Sequence, residues 1–353
     1  MLRIEPRPDF TRFLDTLLLR RAYRRPPMFD FHVALAHKER LLGRPLKTPG
    51  DDADFFFRAG YDYVQCTVHV FSQELVRVAE QEKLHGVSMG SNLNLISSLQ
   101  EFRAQRWSWQ DAADGDLSAL QPRFEWLSEL RSILRPGVKI ILHGADVFTY
   151  AWQLIGFEQF CLKSYEEPEL IAAVMESLAS AQLNAMRRAV DIAGDTLGAV
   201  FYSDDIAYTT GLMLSPEFFR TYLIPVLRRF AGLGSPLIYH SDGRLYDLLD
   251  DFHAAGVRGI QPLEPKSMDP LRIKTDWPGK MCLMGNIDLD LMSRGGVDEV
   301  EAHVRERLDR LMLGGPYKGG YMPGVSNTVP YYVSFDNYCR MIEVVHSMPD
   351  GEF

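Results

Sequence analysis

The stretch Pro236-Leu237-Ile238-Tyr239-His240-Ser241-Asp242-Gly243 is an apolar run that ends in His, Ser and Asp, then in a glycine able to turn the chain. Short apolar runs bounded by turn residues predict buried strands. Polar side chains at the carboxyl ends of such strands are where α/β enzymes hold their chemistry. The same pattern recurs along the chain. Strands are predicted near 27–32, 61–68, 138–143, 199–203, 236–240, 259–263, 281–285 and 320–324. Helices are predicted between them at 118–134, 167–191, 216–231, 244–255 and 297–312, with 336–346 as a closing helix. Strict alternation predicts a parallel sheet with right-handed crossovers, and eight units predict closure into a (β/α)8 TIM barrel. An amphipathic N-terminal helix at 8–20 precedes it, with Phe10, Phe13, Leu14, Leu17 and Leu18 at helical spacing. The longest interruption, 70–137, predicts an insertion between strands 2 and 3 over the barrel mouth; it carries Trp107-Ser108-Trp109 and the run 88–92. With no long linker or repeat, 353 residues read as one domain.

Composition narrows the partners. A formal net charge of -9 and a pI near 5.5 make a poor surface for nucleic acid or an anionic membrane. The basic cluster Arg20, Arg21, Arg24 and Arg25 reads as a solvated helix end or as an anion or partner site. Cys66, Cys161, Cys282 and Cys339 are dispersed and form no CxxC, which argues against a disulfide framework and for a cytoplasmic setting. No signal-peptide core or membrane-length apolar run is found. An isologous homodimer is the default expectation.

The predicted strand ends carry Asp30 and His32, His69, His143 and Asp146, Asp204 and Asp205 with Tyr208 beyond, His240 and Asp242, Gln261 and Glu264, Asn286, and Tyr321 with Ser326 and Asn327. Their convergence predicts a polar pocket. Asp204 or Asp205 is also suited to capping the next helix, Asp242-Gly243 to a plain turn, and His143 to a satisfied core position. His37, His85, His253, His303 and His346 fall on predicted helices or loops and read as surface residues. No GxGxxG follows a strand and there is no P-loop or GxSxG elbow, so no nucleotide cofactor is expected. What remains is acid–base chemistry by His240, Asp205, Glu264 and Asp242, since crowded carboxylates push one another's pKa apart. The substrate-orienting candidates are Asp30, His32, His143, Tyr208, Asn286 and Tyr321. His240 with Asp205 and Glu264 would also form an N/O set suited to zinc.

Several blocks resemble the uroporphyrinogen decarboxylase superfamily: Gly60-Tyr61-Asp62-Tyr63-Val64, Ser203-Asp204-Asp205, Leu214-Ser215-Pro216-Glu217-Phe218-Phe219, His240-Ser241-Asp242-Gly243, Gly259-Ile260-Gln261-Pro262-Leu263-Glu264-Pro265 and Gly285-Asn286-Ile287-Asp288. The resemblance implies a TIM barrel with its pocket in the carboxyl-terminal mouth. It also implies one of two chemistries: cofactor-free decarboxylation of a porphyrinogen, or methyl transfer to or from a corrinoid protein, often with zinc. The chain departs from both patterns. Arg24-Arg25-Pro26-Pro27-Met28-Phe29-Asp30-Phe31-His32 stands where the decarboxylases place an arginine-rich motif, and Pro323-Gly324-Val325-Ser326-Asn327 lacks their His. His240-Ser241-Asp242 keeps the His of the thiol-activating methyltransferases but not the Cys after it, and Val325 replaces their second Cys. The leading expectation is therefore a methyltransferase-like enzyme that moves a methyl group between a small methylated substrate and a corrinoid carried by a partner protein. Decarboxylation of a tetrapyrrole or smaller acid is the first alternative, and a non-catalytic corrinoid- or tetrapyrrole-binding barrel the second.

Overall fold

A computed structural model describes residues 2–71 and 93–353; the 88–92 run and His85 lie outside them. Seven strands form one parallel sheet: β1 (Tyr63–Thr67), β2 (Lys139–Ala145), β3 (Leu197–Ser203), β6 (Leu237–His240), β7 (Val257–Gln261), β8 (Cys282–Ile287) and β9 (Tyr321–Val325), hydrogen-bonded in that order. A short antiparallel hairpin, β4 (Ala207–Tyr208) and β5 (Gly211–Leu212), follows β3. The strands are buried on both sides and read as continuous apolar runs, as a helix-covered parallel sheet requires.

The first predicted strand, 27–32, is corrected: it makes no ladder among the described residues. It is nevertheless an extended segment lying between the two edge strands. Phe29 N donates to Pro323 O at 3.0 Å, and Val33 bridges Val329. On the other side Asp30 N donates to the Tyr63 hydroxyl at 3.0 Å, while Gln65 Nε2 donates to Asp30 O, also at 3.0 Å. Two-residue alternation sends Phe29 and Phe31 inward, where Phe29 stacks on Tyr63 and Phe31 on Phe201. Side chains rather than a backbone ladder thus join the segment to β1, and the sheet curls around these rings.

Helix Phe10–Leu17 begins at Asp9, whose carboxylate accepts from Thr11 N and Arg12 N. Phe10 lies over Gly198 and Leu17 over Gly259, where a Cβ would fall 2.3 and 2.8 Å from them, so the helix plugs the amino end of the sheet. The region predicted as one helix at 216–231 is two, Pro216–Tyr222 and Ile224–Ala231. Pro225 has no N–H to donate and its ring crowds the preceding turn. Within the segment between β1 and β2, Trp107 and Trp109 stack on each other, and Trp109 Nε1 donates to Ser177 on helix Pro168–Ala193. Trp109 of this pair thus bonds to the long helix. Among the described residues no helix is long and apolar enough to cross a membrane.

Gly324 of β9 is where the extended segment comes closest. A Cβ there would sit 1.8 Å from the Phe29 carbonyl oxygen, a backbone atom that can retreat only by moving the segment. Gly324→Ala is therefore expected to lower the urea-unfolding free energy by at least about 2 kcal/mol, checked by equilibrium denaturation.

Candidate active site

Strand register determines which side chains meet. Ser203 pairs with His240 and His240 with Gln261, so these three leave the sheet on one face at one level. His240 Nδ1 consequently hydrogen-bonds the Gln261 side-chain oxygen. An imidazole that donates from Nδ1 to an amide oxygen keeps Nε2 free of a proton while neutral. Nε2 faces two carboxylates, Asp205 Oδ1 at 3.8 Å and Asp242 Oδ1 at 4.0 Å. One ligand atom from each of these three residues lies within 4.8 Å of the others.

The loops after the strands hold the carboxylates in place. Asp205 Oδ1 accepts from Asp242 N at 3.0 Å, and Asn327 Nδ2 donates to Asp242 Oδ2 at 2.7 Å. Glu264 sits behind this pair rather than in it: its Oε2 accepts from Gly243 N and Ser267 Oγ, at 2.9 and 3.2 Å. The three-donor set is thus His240, Asp205 and Asp242, and the predicted metal ligand Glu264 fastens the turn. Gly243 has φ +84, and a Cβ there would fall 2.6 Å from the Ala207 carbonyl. The plain-turn reading of Asp242-Gly243 thus describes the backbone, while the Asp242 side chain faces His240.

Burial pushes the Asp242 carboxyl up to about 6, reinforced by the charges of Asp205 and Glu264 and opposed by His240 and the Asn327 hydrogen bond. Among the described residues, seven buried side-chain polar atoms lack a hydrogen-bond partner. Three of them, Asp242 Oδ1, Gln261 Nε2 and Asn286 Oδ1, belong to the ends of β6, β7 and β8. Such atoms are uncommon in folded proteins, and three of the seven gather at this end of the sheet. No Arg or Lys among the described residues is ion-paired with Asp205, Asp242 or Glu264.

A second polar group lies across the Phe31 ring, which is 4.7 Å from the His240 ring centroid and 4.9 Å from that of His143. His143 Nε2 is 2.9 Å from Ser203 Oγ, and its Nδ1 is 3.3 Å from Thr67 Oγ1. Ser203 Oγ donates to Asp146 at 3.5 Å, and His69 Nε2 is 3.0 Å from the other oxygen of that carboxylate. Burial, with His69, His240 and His32 nearby, holds the His143 imidazolium well below its ordinary pKa.

The other predicted site residues are placed as follows. Asp30 is enclosed away from the mouth: its carboxylate accepts from the Tyr61 hydroxyl and from Val325 N, and burial raises it to about 6. Tyr321 is fully buried at the start of β9 and donates to Gly285 O at 2.7 Å. Asn286 is buried with φ +69, and its Nδ2 donates to Leu263 O at 2.6 Å. His32 and Tyr208 are exposed. Asp204 does cap a helix, but that of the preceding unit: it accepts from Phe148 N and Thr149 N of helix Val147–Ile155. The histidines read as surface residues are also corrected. His37 is buried with Nε2 2.8 Å from Pro330 O, while His253, His303 and His346 are half-buried. Arg25, from the basic cluster, is buried against Asp350 at 2.6 Å, and Arg21 pairs with Glu352. Sequence reasoning noted Gln261 at its strand end without assigning it the His240 bond. It also missed the part played by Phe31, for which the Phe29/Phe31 alternation was the available signal.

A curled parallel sheet with histidine and carboxylates converging at its carboxyl ends defines an α/β enzyme-like site. The chain belongs to the uroporphyrinogen decarboxylase (URO-D) family, whose model matches residues 96–348. A methyltransferase from Methanosarcina mazei has a similar fold, with a TM-score of 0.66 at 18% identity over 96% of this chain and 98% of that one. None of the curated proteins compared with the sequence matches it.

The raised Asp242 carboxyl makes a pH-dependent stability prediction. A folded-state pKa of about 6 against 3.8 means that the native state binds more protons than the unfolded chain between those values, so this group costs stability as pH rises through the window. Asp242→Asn should therefore unfold at higher urea than the parent at pH 8 and show no such gain below pH 4, as measured by denaturation at both pH values.

Proposed function

We propose that this chain is a methyltransferase-like enzyme that takes a methyl group from a small methylated substrate and passes it to a corrinoid carried by a partner protein. The observation that carries the reading is the His240 imidazole, locked by Gln261 and presenting Nε2 to two carboxylates with no paired Arg or Lys among the described residues. A substrate bearing several carboxylates would be repelled by such a cluster. A neutral or cationic methylated amine or ether would not.

In this reading the substrate heteroatom lies against His240 and Asp242. The bond from the methyl carbon to the heteroatom breaks, and the methyl carbon goes to the nucleophilic acceptor. The heteroatom keeps the electron pair and takes a proton from the Asp242 carboxyl. With a pKa of about 6, that carboxyl is partly protonated near neutral pH and regains its proton from water. Asp205 holds the Asp242 backbone N–H, and Gln261 fixes the His240 tautomer. Phe31 and Phe201 pack against the His240 ring and keep that side dry.

The three donors also fit a zinc ion: one imidazole nitrogen with its lone pair free, two carboxylates, and a buried Asp242 Oδ1 that lacks a partner. Bound there, zinc would supply Lewis acidity to the substrate heteroatom in place of the proton. The same proposal takes the barrel as (β/α)8, the extended segment serving as its eighth stave beside the seven-stranded sheet.

Two outcomes are expected. His240→Ala should reduce methyl transfer from a panel of methylated amines and aryl ethers to a reduced corrinoid by at least about 100-fold, with circular dichroism unchanged. Stepwise carboxylate loss from uroporphyrinogen by the parent protein would instead support the decarboxylase reading. Zinc affinity measured by calorimetry should fall as pH drops through about 6, where Asp242 takes up a proton, and should fall further in Asp242→Asn.

A further inference from the structure

We propose that a second cavity, beside the carboxyl end of β1, binds an organic carboxylate with an apolar body. The cavity holds about 660 Å3, room for a small organic ligand. Thr67 and His69 form its inner wall, and Ser108 to Trp126 its outer one. Ala112, Leu117, Leu120 and the half-buried Trp126 give it apolar surface.

The charged groups around it identify what is missing. Asp111 is engaged by Arg106, with Nε at 2.9 Å and Nη2 at 2.5 Å. Asp116 accepts from Ser118 N at 2.9 Å, which holds its carboxyl below the usual range. His69 faces Asp146. Arg123 alone among the charged lining residues has neither hydrogen bond nor ion pair to a described residue. Arg123 is exposed at the rim, and its guanidinium is the one Arg or Lys side chain among the described lining residues, with no carboxylate partner; its planar fork matches a carboxylate.

Helix Gln121–Ile133 carries Arg123 and Trp126 three residues apart, so both project from one face. A carboxylate held by Arg123 would therefore lay its apolar body along the indole. The inner end of the cavity reaches Thr67, which is already 3.3 Å from His143. A ligand anchored at Arg123 accordingly points its far end at the His143 group and, beyond Phe31, at His240. The inference rests on the cavity and its charges, and stands whether or not methyl transfer is the reaction.

The test is isothermal titration of the full chain with benzoate, benzyl alcohol and benzylamine, three probes sharing a ring and differing in charge. Benzoate should bind at least about tenfold more tightly than benzyl alcohol, and Arg123→Gln should remove that preference while leaving benzyl alcohol unchanged. Trp126→Leu should weaken benzoate and benzyl alcohol together. Equal benzoate affinity in the parent and Arg123→Gln, a preference for benzylamine, or no benzoate heat would each overturn the proposal. The readout involves no turnover, so it fails or succeeds separately from the methyl-transfer assay on His240→Ala.

Discussion

The Asp30 carboxylate, buried under the Tyr61 hydroxyl and bonded to Val325 N at 2.8 Å, fixes the extended segment against β9. The carbonyl oxygen of the same residue accepts from Tyr63 and Gln65 on β1, each at 3.0 Å. One residue thus ties both edges of the sheet. Its neighbours Phe29 and Phe31 are turned inward by the same backbone, and Phe31 comes to lie between the imidazoles of His240 and His143. The acid that looked like a ligand contact in the sequence instead holds in place the ring against which His240 and His143 pack. Burying a carboxyl is costly unless it is fully bonded, and both of its oxygens are.

The repeating units were legible because apolar runs and amphipathic stretches have different periods, and both are long enough here to distinguish. Seven of the eight predicted strands are strands, and the N-terminal helix lies where its Phe10, Phe13 and Leu17 spacing placed it. The eighth, 27–32, carries strand alternation without a ladder. Its Pro26-Pro27 start removes two backbone donors, and side-chain bonds from Tyr63 and Gln65 replace the missing ladder on the β1 side. No local pattern distinguishes an extended segment bonded through side chains from one bonded through its backbone.

The candidate site was legible in part for a related reason. Sequence places a residue at a strand end but does not determine strand register. Register decides that His240 meets Gln261, and the loop after β6 decides that Asp242, not Glu264, joins Asp205. Tyr321 shows the opposite error. It is an aromatic near a glycine-rich turn, and it enters the core at the amino end of β9. The cavity beside Arg123 had no sequence signal, because its walls come from two separate segments, residues 67–70 and 108–126, that only the fold brings together.

Asp204 and Asp205 are chain neighbours with opposite attachments. Asp204 is wholly buried and accepts three hydrogen bonds from the first turn of helix Val147–Ile155, while Asp205 stands half-open beside His240. The helix and the acid are thereby geared together through a single peptide unit. The buried helix thereby sets the backbone position from which the carboxylate nearest the imidazole projects.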